Sequence, residues 1–330
     1  MTASGRDPGL EDELDRAAEH LRAGGAVAIP TETVYGLAAD ALNRAAVRRV
    51  FGLKGRRSDN PLIVHVSGIG MARDLVLAWP DRAQALAERF WPGPLTLVLE
   101  RSGRVPEVVT AGGPTVALRC PACAPTLELI RRFGGPLVAP SANPSGGVSP
   151  TSAEHVRGVW PEGEVPVLDA GLCEIGIEST VLDLTVSPAR ILRPGALGAG
   201  ELALAVPGLE VVEAWAGASA AEGSPGRVGP HYRPGAPLRL ARTVAEIGGL
   251  IGRAGGAVVV ISPPGAPVTV GPPHRHLTMP ADPAGYAREL YAALREADAL
   301  GPALIVVGEP RESPEWAAVL ERLRRAAATD

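Results

Sequence analysis

The chain has 330 residues, 46% hydrophobic and 21% charged, with a formal net charge of −4 at pH 7. That length exceeds what one hydrophobic core usually organises, so two domains are expected, and the balance excludes a low-complexity or fibrous chain. The net charge gives no overall nucleic-acid footprint, the aliphatic runs are too short to span a bilayer, and the odd total of 3 cysteines argues for a reducing compartment, the cytoplasm.

Leu10, Leu14, Ala17, Ala18 and Leu21 recur at helical spacing, and Gly24-Gly25 ends that helix. The acidic N-terminal stretch shows no secretory signal. Residues 26–30 read as a buried strand. Asn43 is a fair N-cap for a helix through Val47, Val50 and Phe51 that runs out at Gly52. A strand at 61–66 follows, then helices near 71–78 and 80–90, strands at 95–100 and 115–120, a helix at 125–133 and a strand at 136–140. Further strands are expected at 165–168, 180–184 and 190–192. The order is not a clean βαβ alternation, so a mixed α/β sheet is expected.

Residues 214–237 are rich in Gly, Ala, Ser and Pro and read as a linker, yet they carry Ser224-Pro-Gly and His231-Tyr232, which a plain spacer does not need. Beyond lies a second α/β pattern: strands at 238–240, 257–261 and 303–307, helices at 244–253, 283–297 and 314–325. In outline it is a small Rossmann-like unit without its phosphate fingerprint. His274-Arg-His276 reads as an exposed loop. The expected division is a first domain at 1–210, a linker or lid at 211–236, and a smaller α/β domain at 237–330.

Lys54 is the only lysine in a chain that otherwise writes arginine. A lysine is ordinarily a solvated surface residue, but Lys and Arg differ as point charge and planar fork, and this one sits in Leu53-Lys54-Gly55-Arg56-Arg57. From residue 43 to 132, Lys and Arg outnumber Asp and Glu by 14 to 7. Such a segment is equally a phosphate-attracting cleft or a basic face paired with acidic neighbours. No Walker A loop can exist, because Lys54 lies between Leu53 and Gly55, and 195–200 has the dinucleotide glycine spacing reversed. Cys120-Pro-Ala-Cys123 lacks the further ligands that zinc needs, so no metal site is expected. What remains is a set of polar residues near strand ends, Thr31, Glu32, Thr33, His65, Arg119, Ser141, Asn143, Ser179 and Arg193, together with Lys54 and Arg56 after a helix. Singly, each is an ordinary cap or structural residue. Together they fit an anion- or nucleotide-handling site outside the strand ends of an open sheet.

Pro30-Thr-Glu-Thr-Val-Tyr-Gly-Leu37, Lys54-Gly-Arg56, Asn60-Pro-Leu-Ile-Val-His65, Pro140-Ser-Ala-Asn143 and Ser179-Thr-Val181, in that order, resemble the YrdC-like threonylcarbamoyl-AMP synthase family. Ser224-Pro-Gly and His231-Tyr232 resemble the linker of its two-domain form. The resemblance implies a YrdC-like twisted mixed sheet with flanking helices, a linker and a smaller C-terminal Rossmann-like α/β domain. It implies a nucleotidyltransferase that joins L-threonine, bicarbonate or CO2 and ATP, with Mg2+, into threonylcarbamoyl-AMP and pyrophosphate, serving the downstream tRNA threonylcarbamoyl-transfer machinery, with an RNA contact and no membrane. Carried over by motif, Lys54, Arg56, Ser141 and Asn143 are the catalytic set. Thr33, His65, Arg119 and Ser179 are the threonine pocket. Asn60, Thr115, Ser149, Arg193 and Tyr232, with Arg56 and Ser141, hold the nucleotide. The linker departs from the family pattern at Arg227-Val-Gly-Pro230, where Met and basic residues are usual. The alternatives are a non-catalytic RNA-binding module, against which the net charge and scarce aromatics count, and a hydrogenase-maturation carbamoyl-transfer domain, whose zinc-finger cysteines this chain cannot supply.

Overall fold

The computed structural model describes residues 8–213, 231–263 and 268–328. The helices are α1 (Pro8–Arg22), α2 (Arg44–Lys54), α3 (Ile69–Arg73), α4 (Asp81–Phe90), α5 (Ala124–Phe133), α6 (Ala153–Arg157), α7 (Ala199–Ala205), α8 (Val244–Arg253), α9 (Pro283–Ala299) and α10 (Ala317–Ala327). The strands are β1 (Val27–Ile29), β2 (Gly36–Asp40), β3 (Ile63–His65), β4 (Leu95–Glu100), β5 (Thr115–Arg119), β6 (Leu137–Val138), β7 (Thr180–Asp183), β8 (Ala189–Arg193), β9 (Val211–Glu213), β10 (Leu238–Ala241), β11 (Val258–Ser262), β12 (Arg275–Thr278) and β13 (Leu304–Gly308). Among the described residues no helix is long and apolar enough to cross a membrane.

The first nine strands form one sheet in the order β1-β2-β6-β3-β5-β4-β7-β8-β9. The pairs β3–β5, β4–β7 and β8–β9 are parallel and the remainder antiparallel, so the sheet is mixed as expected. The apolar face of α1 (Leu14, Ala17, Ala18, Leu21) buries against Leu129 and Ile130 of α5. The last four strands form a second sheet, β10-β13-β11-β12, parallel throughout.

Three sequence expectations are corrected. The helix at 44 does not end at Gly52 but carries Lys54 as its last residue. Gly55 takes the left-handed conformation (φ 57), and the bonds Gly55 N to Gly52 O and Arg56 N to Phe51 O close the end; this cap outweighs the cost of an interior glycine. Residues 165–168 form only a bridge from Ala28 to Val167, because Pro166 has no N–H to extend a ladder. Arg275 and His276 lie in strand β12, an edge where charged side chains are tolerated, and His276 Nε2 is 2.7 Å from Ser262 Oγ. β2 carried no strand signal because its Ala-rich sequence has weak β preference.

The two sheets are joined by a shared core. Val34, Val148 and Ile177, from loops of the first domain, pack with Tyr232, Tyr286, Leu290 and Tyr291. At Gly176 (φ 79) the backbones touch so closely that a Cβ would sit 2.4 Å from Arg288 Cα on α9.

Candidate active site

Loops after β1, α2 and β6 and the chain before β7 border a cleft at one end of the large sheet. The loop after β1 is shaped by Thr31, whose Oγ1 accepts from the amides of Thr33 and Val34, each at 3.1 Å. Thr33 is thereby presented to Arg119, whose Nη1 donates to Thr33 Oγ1 at 2.8 Å and whose Nε donates to Gly93 O at 3.3 Å. Arg119 Nη2 lies 2.7 Å from Glu32 Oε1 but out of line for a hydrogen bond, so the two pair as charges. Glu32 Oε2 in turn accepts from Ala122 N at 3.0 Å. His65, at the end of β3, faces the same cleft; burial, then the Arg119 charge, pushes its pKa down to about 3, so the imidazole is neutral.

Arg56 lines the same cleft and is held by Asn60 and Pro61. Its Nη2 donates to Asn60 Oδ1 at 2.6 Å and to Pro61 O at 2.9 Å. Burial and the neighbouring Arg193 lower its pKa to about 10, which leaves it charged at neutral pH. Lys54 does not line this cleft. Its ammonium donates to the carbonyls of Ser141 and Asn143, and its own carbonyl accepts from Ser145 N at 2.8 Å. Burial, then the Arg56 charge, depresses its pKa. The lone lysine is therefore the tie between the end of α2 and the loop that brings Ser141 to the cleft. Asn143 closes that loop internally, donating to Pro144 O and Gly147 O at 2.8 and 2.9 Å.

Arg193, at the end of β8, borders the cleft and donates to Ser179 O and Ser179 Oγ, both at 3.1 Å. Ser179 itself is fully buried behind it, 2.7 Å from Thr96 Oγ1. Ser149 is also fully buried and donates to Glu178 at 2.7 Å. Thr115 opens onto an adjoining cavity, with Asp59 and Thr110, that shares Pro61 and Leu62 with the main cleft. Tyr232 enters from the C-terminal side, with its ring stacked 5.5 Å from Tyr291. Its hydroxyl has no hydrogen-bond partner among the described residues, and burial, then Glu178, pushes its pKa up to about 12. The structure thus brings Thr33, His65, Arg119, Arg56, Ser141, Arg193 and Tyr232 to one cleft. Lys54, Asn60, Asn143, Ser149 and Ser179 stand in the layer behind it, and Thr115 borders the next cavity. Ser224, Gly226, Arg227 and Pro230 lie outside the described residues.

Sequence reasoning passed over Glu178 and Arg322. Glu178 lines the cleft, and its pKa is held down to about 2: burial opposes ionisation, but Arg322, Arg193 and the Ser149 hydroxyl outweigh it. Arg322 is closed off from solvent and does not line the cleft; it is buried on the apolar face of α10 with Ala318, Val319, Leu323 and Ala326. A charge on the apolar stripe of an amphipathic helix was the readable signal.

A mixed-sheet domain whose arginine-lined cleft also holds Tyr232, just ahead of a second, parallel-sheet unit, defines an α/β protein with two sheets. Residues 19–195 match the Sua5/YciO/YrdC family model, described as telomere recombination, and residues 200–328 match the model of the threonylcarbamoyl-AMP synthase C-terminal domain. A Pyrococcus abyssi threonylcarbamoyl-AMP synthase is 39% identical over 327 residues, covering 94% of this chain and 92% of that one. A Bacillus subtilis threonylcarbamoyl-AMP synthase is 42% identical over 231 residues, covering 70% and 67%. The crystal structure of P. abyssi Sua5 complexed with L-threonine superposes with a TM-score of 0.87 at 38% identity, covering 95% of this chain and 94% of that one. The chain belongs to the Sua5/YciO/YrdC family, in the form that carries the threonylcarbamoyl-AMP synthase C-terminal domain.

Proposed function

We propose that this chain is an L-threonylcarbamoyl-AMP synthase, a nucleotidyltransferase that forms threonylcarbamoyl-AMP and pyrophosphate from L-threonine, bicarbonate or CO2, and ATP. The observation that carries the reading is the likeness, over 95% of this chain, to a Sua5 protein crystallised with L-threonine, joined to a single cleft lined by hydroxyl, imidazole and guanidinium groups. In the reaction the threonine amine and bicarbonate combine, with loss of water, into a carbamate. A carbamate oxygen then attacks the α-phosphorus of ATP, and the bond to pyrophosphate breaks.

We assign Thr33, His65 and Arg119 to threonine. Neutral His65 offers a hydrogen bond without a competing charge, and Arg119 has five N–H donors, more than its present contacts use. Arg56 and Arg193 suit the phosphates, where charge develops as pyrophosphate departs, with Mg2+ entering on ATP as part of the substrate. Lys54, Asn143 and Ser179 act by holding Ser141 and Arg193 in place, since positioning is a large share of such a barrier. We assign Tyr232 to the nucleotide, and Thr115 to the side of it that reaches the adjoining cavity. We keep 1–210 as the catalytic domain, 211–236 as the lid and 237–330 as the C-terminal domain. The product is a labile mixed anhydride that a following transfer step must consume, and we assign that step to a tRNA threonylcarbamoyl-transfer machinery and the reaction to the cytoplasm.

The test is pyrophosphate release by the full chain, with the nucleotide product identified by mass. Release is expected only when L-threonine, bicarbonate and Mg·ATP are all present. Release that proceeds without threonine would remove this activity.

A further inference from the structure

From the C-terminal domain, the buried side chain of Arg322 reaches residues that line the cleft. Arg322 on α10 is fully buried. Its Nε lies 3.2 Å from the Glu178 carboxylate, its Nη2 donates to Glu178 O at 3.3 Å, and its Nη1 donates to Pro194 O at 2.5 Å. Those two carbonyls stand just before Ser179 and just after Arg193, and the strands are antiparallel, so one guanidinium bridges β7 and β8 at the shared end of the pair that presents Arg193. Glu321 adds a carboxylate 3.1 Å from Nη1. From α9, the Tyr291 hydroxyl donates to the same Glu178 carboxylate at 2.9 Å.

The same residues grip Tyr232. The Arg322 guanidinium lies 5.7 Å from the Tyr232 ring centroid and Arg325 lies 5.6 Å from it, while Tyr291 stacks on the ring. Tyr232 has φ 63, a costly conformation for a bulky residue that persists only where surrounding contacts over-determine it. Arg322 and Tyr291 thus each touch both Glu178 and Tyr232, and the group they aim is a buried hydroxyl with no partner among the described residues. Thr33 and Arg119, by contrast, are held from within the first domain by Thr31, Glu32 and Gly93.

We propose that Arg322 is a positioning residue for the nucleotide half of the cleft: through Glu178 and Tyr232 it fixes Arg193 and the Tyr232 hydroxyl, so the C-terminal domain builds one wall of the site. The inference rests on reading the cleft as an ATP and threonine site. A role confined to holding the domains together predicts lower stability with both ligand affinities kept in the folded protein. Positioning predicts a split between the ligands.

The experiment titrates ATP and, separately, L-threonine into the full chain by calorimetry, for the unaltered protein, Arg322→Lys and Glu178→Gln, each verified as folded by circular dichroism. Arg322→Lys keeps the charge but loses the planar fork; Glu178→Gln keeps the shape and a carbonyl acceptor. Arg322→Lys is expected to weaken ATP by about tenfold, the scale of one hydrogen bond to a charged group, and to leave threonine affinity unchanged. Glu178→Gln is expected to shift ATP in the same direction, and the double variant to fall short of the sum because the two act through one contact. If Arg322→Lys does not fold, Glu178→Gln decides by the same split. Unchanged ATP affinity in a folded variant, or equal weakening of both ligands, would overturn the proposal. An unaltered chain that binds ATP but forms no threonylcarbamoyl-AMP would overturn the activity alone, and the ATP titrations would still decide Arg322.

Discussion

His65 and Glu178 show how single side chains here depend on burial for their protonation state. The folded His65 holds its proton less tightly than an exposed imidazole, its pKa falling from 6.5 to about 3 through burial and Arg119. Between those values the unfolded chain binds more protons, so stability rises with pH across the window and is lost as pH falls through it. Glu178, lowered from 4.5 to about 2, acts in the same direction at lower pH: its contribution is present above 4.5 and is lost as its carboxylate protonates. Urea midpoints measured from pH 7 down to pH 4 should therefore fall steadily, and His65→Asn should flatten the upper part of that fall. A profile that His65→Asn leaves unchanged would contradict a buried neutral imidazole. At this scale the sequence was partly legible. Lys54 stood out by composition, but its partners are the carbonyls of Ser141 and Asn143, and no side-chain pattern announces a backbone acceptor 87 positions away.

Elements place these residues through their ends. The cap at Gly55 sets where α2 stops and so which way Lys54 and Arg56 leave it. Gly176 does a comparable job between domains, letting its loop lie flush on α9. The two glycines predict different penalties. Gly55 has φ 57 and open space, so Gly55→Ala should cost about 1 kcal/mol, the backbone term alone. Gly176 has φ 79 and no room, so Gly176→Ala should cost well over that, by about 3 kcal/mol once overpacking is added. Chemical denaturation of the two variants checks the order, and equal costs would mean the domain contact yields to a methyl group. Helices with strong apolar periodicity, such as α1 and α5, were readable from sequence. The cap was not, because Gly52 and Gly55 both carry a stop signal and only the φ angles tell them apart.

The whole molecule behaves as two sheets with a shared seam. Val34, Val148 and Ile177 from the first domain pack with Tyr286 and Tyr291 of the second, while Arg322 joins Glu178 and Pro194 across the same boundary. Heat or urea should therefore unfold both domains in one transition, with near- and far-ultraviolet signals coincident, since neither side keeps its core when the seam opens. Two separated transitions would show that the seam contributes little. Sequence by itself determined the mixed α/β class, the second α/β unit and the set of polar residues worth following, because periodicity, strand-end placement and ordered motifs are local properties of the chain. Only the tertiary structure decided which of them face the cleft and which stand behind it. Ser149 and Ser179 look like ligand-binding hydroxyls in sequence, yet their partners are Glu178, Thr96 and Arg193. Glu178 and Arg322 meet across 144 positions. A buried charge is tolerated only where it is paired or hydrogen-bonded, and where the Arg322 partner lies is set by packing between domains rather than by any local pattern.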